Sequence, residues 1–133
     1  MELSALVNLR MMYGAAVVGA GLVGAITLIA PSTAGRYIFA EATEIDVFMR
    51  ILGALWLAIG LVAVAGFSDP VRYLPVLLIQ LVYKSAWLAF AAYPALASGK
   101  SSAGLIALTL LFTMWVLALA ILIPFRALMF TAI

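Results

Sequence analysis

The sequence predicts an all-α protein, an integral membrane bundle of four transmembrane helices. Three observations carry that reading. Hydrophobic residues make up 68% of the 133 residues and charged residues 9%, where a soluble domain holds about 45–50% and about 25%; mean hydropathy is +1.30. Four apolar stretches, about 11–30, 44–65, 74–93 and 102–123, each have the roughly 20 residues that cross about 30 Å of hydrocarbon. A proline or a glycine stands at the end of each. The stretches use most of the chain, so residues 1–133 are expected to form a single transmembrane domain with no soluble one beside it.

Span 1 runs from Met11 to Ala30 and closes at Pro31. It is longer than the 7–15 apolar residues typical of a signal-peptide core, so it reads as a retained span. Ala16, Ala20 and Gly24 place a small residue at every fourth position, a surface for close helix approach inside the bundle or against another subunit. In the connection that follows, Ile38, Ala42 and Ile45 have the spacing of a short interfacial helix.

Span 2 opens on Thr43-Glu44-Ile45-Asp46, where the threonine hydroxyl can cap the first turn and the acid suits the positive end of the helix dipole. Gly53 and Gly60 are further close-packing positions, and Gly66 reads as a left-handed C-terminal stop. Asp46 and Arg50, four residues apart with the acid first, are spaced for an intrahelical ion pair. Arg50 could instead anchor an anionic head group, a carboxylate or a quinone oxygen. Span 3, Leu74 to Tyr93, ends at Pro94; span 4, Ser102 to Ile123, ends at Pro124. Short connections make consecutive spans antiparallel neighbours with both termini on one side. Arg10, Arg72 and Arg126 on that side, against Arg36 and Lys100 on the other, place the termini in the cytoplasm of a bacterial inner membrane.

Lys84 is the residue this frame does not explain. It sits near the middle of span 3, a turn after Gln80, where a charge costs roughly 2.5–3.5 kcal/mol on insertion scales. About ten residues separate it from either end of the span, too many for its stem to reach an interface. No span carries an acid in its interior. The lysine could be uncharged; it could meet Glu41 or Glu44 if the first connection folds back; or it could face a cavity, a ligand or another subunit. Gln80, Lys84, Trp87 and Ala91 follow one helical face, so a polar pair and a ring would point together. Thr109 and Thr113 are candidate partners on a facing helix, although threonines in helices commonly bond back to their own carbonyls. Trp56 and Trp115 lie in mid-span and read as core or as contacts for a lipid tail, a quinone or a pigment. Tyr13, Tyr37, Tyr73 and Tyr93 stand near span ends and read as an interfacial belt.

Composition excludes several chemistries. The chain has no histidine and no cysteine, which removes disulfides, thiolate nucleophiles, and metal or haem ligation through those side chains. No cofactor held covalently or through His or Cys is expected, and no metal site; a lipid or a quinone is the kind of group its rings could touch. The net charge of +2 is spread without a run, unlike a nucleic-acid-binding face. No phosphate loop, nucleophile elbow or intramembrane acid pair is present, so the chain is not expected to be an enzyme.

A first span ending in proline, followed by Arg50-Ile51-Leu52-Gly53 and then Gly60, resembles the pattern of the DoxX-like superfamily of small four-helix membrane proteins. The resemblance covers the first two spans. It implies an accessory or helper subunit of a membrane oxidoreductase or another complex. Small multidrug exporters, similar in length, use a span 1 glutamate that this chain lacks. Fluoride channels carry a phenylalanine- and threonine-rich break in span 3 that is also absent.

The leading expectation is therefore a non-catalytic accessory subunit or assembly factor of a larger bacterial membrane complex, with the membrane and other membrane subunits, or further copies of itself, as partners. The alternative is a binding or transport protein for a small anionic or amphiphilic ligand, with Gln80 and Lys84 as polar contacts, Trp87 beside them and Arg50 near the entrance.

Overall fold

The structure, a computed structural model, describes residues 2–38 and 46–130, with the backbone alone for Asp46 and Phe130. Among the described residues every regular element is a helix. Helix α1, Leu3–Ile29, contains a π-helical turn over Val17–Leu22. The short α2 begins at Pro31–Thr33 and widens into a π-helical turn over Ala34–Ile38. Then come α3, Asp46–Ser68; α4, Leu74–Ala97, with a π-helical turn over Leu88–Ala92; α5, Ala103–Leu122; and α6, Phe125–Phe130. Helices α1, α3, α4 and α5 are long and apolar enough to cross a membrane.

Three expected ends move. Helix α1 begins at Leu3, not Met11, because Leu9 and Tyr13 already lie on its buried face while Asn8 and Arg10 point outward. Helix α3 runs through Gly66 to Ser68. Gly66 is not a left-handed stop: its missing side chain makes room for the ring of Tyr13, whose Cζ would lie 2.7 Å from a Cβ at that position. The glycine with positive φ is Gly99, at 89°, in the α4–α5 turn. Helix α4 continues past Pro94 to Ala97, because the π-helical turn just before the proline loosens the turn with which its ring would clash. The threonine cap at Thr43 lies outside the described residues, as does the interfacial helix beyond Ile38. Helix α5 starts on a hydroxyl cap, Ser102 Oγ accepting from the Leu105 N–H at 3.2 Å.

Helices α1 and α3 pack antiparallel through glycines. A Cβ on Gly24 would stand 2.8 Å from the Gly53 carbonyl oxygen, and a Cβ on Gly53 equally close to the Gly24 carbonyl oxygen. A turn or two away Gly60 lies against Gly21, with 2.6 Å from its would-be Cβ to the Gly21 nitrogen. The small-residue face of α1 is therefore turned inward: Ala16 is fully buried and Ala20 nearly so. Such backbone proximity replaces side-chain interdigitation with dispersion contact between main chains.

Two apolar clusters divide the bundle. Leu9, Tyr13, Ala16, Ala63, Leu74, Leu77, Leu119 and Ile123 gather at the end holding the α3–α4 turn, where the Tyr13 hydroxyl donates to the Pro70 carbonyl at 2.8 Å. Tyr13 is wholly buried, not a belt residue, since this bond satisfies its hydroxyl inside the core. Ala20, Trp56, Leu88, Ala92 and Phe112 form the second cluster. Along α4 the buried positions run Leu74, Leu77, Gln80, Lys84, Leu88, Ala92, so the polar pair stands between the two clusters. Ala91 is exposed; the widened turn carries the buried face to Ala92 instead. The outward faces carry large apolar side chains such as Phe48, Leu61, Phe90, Met114 and Ile121.

Candidate functional site

Lys84 points into the bundle and is 4% exposed; Gln80, one turn earlier, is 0% exposed. The i, i+4 spacing stacks them on one face, and the Lys84 ammonium donates to Gln80 Oε1 at 3.4 Å and to the Tyr83 hydroxyl. Three rings surround the ammonium. Its Nζ lies 4.3 Å from the centroid of Tyr83, 4.8 Å from Phe112 and 5.1 Å from Trp115, all inside the roughly 6 Å over which a ring face attracts a cation. Phe112 and Trp115, three residues apart on α5, project together toward α4. Trp56 and Trp87 hold Phe112 edge-on, with centroids at 6.4 Å and 5.3 Å.

Lys84, Tyr83, Trp56, Phe112 and Trp115 border a cavity of about 100 Å³. Helix α1 contributes Gly19, Ala20 and Val23, α3 contributes Trp56, α4 contributes Tyr83 and Lys84, and α5 contributes Leu108, Leu111, Phe112 and Trp115; Ile38 closes one side. Gly19 leaves space for the Trp115 indole, 3.5 Å from where a Cβ would be. The π-helical turns of α1 and α2 both reach this wall, through Gly19, Ala20 and Ile38.

Hydrogen-bond capacity at the site is lopsided. An ammonium has three N–H donors, and two find acceptors, Gln80 Oε1 and the Tyr83 hydroxyl. The Tyr83 hydroxyl also takes a side-chain hydrogen bond from Trp56. Gln80 Nε2 and Trp115 Nε1 are buried without a partner among the described residues. Nor does any acid among the described residues pair with Lys84; the expected contact with Glu41 or Glu44 lies outside them. Among the described residues the site is thus rich in donors and poor in acceptors, and Lys84 is the basic group at its wall. It can hold an acceptor or an anion. Among the described residues no group of three His, Cys, Asp or Glu could hold a metal.

The remaining expected positions take other roles. Arg50 Nη1 donates to the Leu28 carbonyl at 2.8 Å, satisfying one of the last carbonyls of α1 at the negative end of its dipole. It does not line the cavity, and the Asp46 side chain with which it was expected to pair lies outside the described residues. Trp87 packs on Phe112 and stays out of the cavity wall. Gly24, Gly53 and Gly60 pack α1 on α3. Thr109 and Thr113 bond back to Leu105 O and Thr109 O at 2.6 and 2.7 Å, so neither serves Lys84; Thr113 also meets the Tyr93 hydroxyl at 2.7 Å. Sequence reasoning missed the ring cage. Its signal is the Phe112 to Trp115 spacing, which becomes meaningful only once the facing register of α4 and α5 is known.

No family model, curated protein or solved structure matches the chain.

Proposed function

We propose that this chain is an integral membrane protein that binds a small anionic or amphiphilic ligand inside its bundle, with Lys84 as the polar anchor. Four long apolar helices and their apolar outward faces support membrane insertion. One observation carries the ligand: a buried ammonium beside a cavity, with a surplus of donors over acceptors around it. Donors buried without acceptors cost about 1–3 kcal/mol each, and an acceptor arriving in the cavity meets Lys84 and Trp115, which line it, while Gln80 is outside the lining. The competing reading, an accessory subunit held by small-residue faces and buried polar anchors, has less support because the small-residue faces of α1 and α3 are taken up by their own contact.

Native mass spectrometry of a tagged copy, extracted gently from its membrane, tests the choice. The expected particle is this chain alone or a homo-oligomer with an added small mass, and the Lys84→Met particle lacks that mass. Stoichiometric foreign polypeptides with no added small mass would reverse the assignment in favour of the accessory reading.

A further inference from the structure

We infer that the ligand is a single-chain monocarboxylic acid of the fatty-acid class, its carboxylate at Lys84 and Tyr83 and its chain leaving between α1 and α5. The inference rests on the ligand-binding reading and narrows it by charge, volume and exit. Among the described residues one cationic group borders the cavity, Lys84, which matches a monoanion and leaves a phosphate dianion undercompensated in a medium where charge is expensive. The two oxygens of a carboxylate offer about four acceptor sites, enough for the third Lys84 N–H and the Tyr83 hydroxyl. Volume argues against a quinone: a cavity of about 150 Å³ is known to accept unsubstituted benzene, and this one holds about 100 Å³. A carboxylate with its first few methylenes is the amphiphile end that fits.

The rest of the chain needs a way out, and the helices supply one. Helices α1 and α5 close on each other at Leu9, Tyr13, Leu119 and Ile123. Farther along, Val23 of α1 and Leu111 of α5 both line the cavity, and Leu111 is half exposed. Among the described residues the cavity wall thus reaches the apolar exterior at Leu111, an aliphatic group of the kind an acyl chain prefers.

Retention of defined probes by the purified full chain in phosphatidylcholine nanodiscs tests this, read by native mass spectrometry for palmitate, hexadecanol, acetate, decylubiquinone and dioleoyl phosphatidate. Palmitate is expected to be retained at one per chain, at least about tenfold more tightly than hexadecanol or acetate. Lys84→Met is expected to erase the preference for palmitate over hexadecanol. Tyr83→Phe, which keeps the ring, lowers palmitate affinity about tenfold, the scale of one hydrogen bond to a charged group. That second variant carries the test should Lys84→Met fail to fold. Acetate held as tightly as palmitate, or Lys84-dependent retention of the quinone or the phosphatidate in place of palmitate, overturns the fatty-acid assignment while the ligand-binding reading stands. If no probe depends on Lys84 or Tyr83, both readings fall.

Discussion

Lys84 sets the energetic problem at the residue scale. Its charge costs roughly 2.5–3.5 kcal/mol at mid-span, and each ring face within reach returns about 0.5–2 kcal/mol, so Phe112 and Trp115, with the bond to the Tyr83 hydroxyl, bring the lysine near break-even. Replacing a buried charge with an apolar side chain of similar volume is commonly neutral or stabilising. Lys84→Met is therefore expected to leave the thermal midpoint unchanged or raise it, followed by tryptophan fluorescence in detergent. A loss of more than about 2 kcal/mol would show that the lysine also holds the fold, and would leave Tyr83→Phe to report on the ligand. Tyr13 behaves in the opposite way. Its hydroxyl is fully buried on the Pro70 carbonyl, so Tyr13→Phe is expected to cost about 1–2 kcal/mol in the same melt, with ligand retention unaffected because the contact sits in the other cluster.

At the scale of the elements, the α1–α3 pair and the widened turns divide the work. The glycines of the pair are not equivalent. Gly24 and Gly53 each face the other's carbonyl oxygen at 2.8 Å from a would-be Cβ, whereas Gly21 would meet Gly60 Cα at 3.5 Å and Gly14 would meet the Phe67 ring at 3.8 Å. Gly24→Ala and Gly53→Ala are expected to destabilise by about 2–3 kcal/mol as the helices are forced apart. Gly14→Ala and Gly21→Ala find ordinary van der Waals room and gain up to about 1 kcal/mol of helix propensity. Denaturant titration of the four variants separates the pairs; equal losses at all four would show that helix proximity is not set by these contacts. Two of the three π-helical turns reach the cavity. Turns of this kind are rare and often mark functional positions, and here Val17–Leu22 delivers Gly19 and Ala20 to the cavity while Ala34–Ile38 delivers Ile38.

For the whole molecule, the four long helices were legible because apolar runs of that length have few other physical outcomes. The helix ends were not. Pro94 stops a helix only if the turn before it is an ordinary α turn, and Gly66 serves either its own backbone or a neighbour's ring, which the local sequence does not distinguish. The inward aim of Lys84 and its ring cage depend on the register between α4 and α5, which no single span encodes. Which ends lie together is now fixed: Leu9, Leu74 and Ile123 share a cluster, so the α1 start, the α3–α4 turn and the α5 end occupy one end of the bundle, and the Gly99 turn the other. The absence of native cysteine makes single-cysteine labelling clean. On the expectation that the positive-inside bias keeps Arg10, Arg72 and Arg126 on the cytoplasmic side, Ser4→Cys and Ser68→Cys should react with a membrane-impermeant maleimide only after permeabilisation of a bacterial host, and Ser98→Cys in intact spheroplasts. The mirror-image pattern would reverse the orientation and keep four crossings. Ser4 and Ser98 reacting from the same side would instead break the four-crossing topology, and with it the placement of Lys84 at the centre of a membrane.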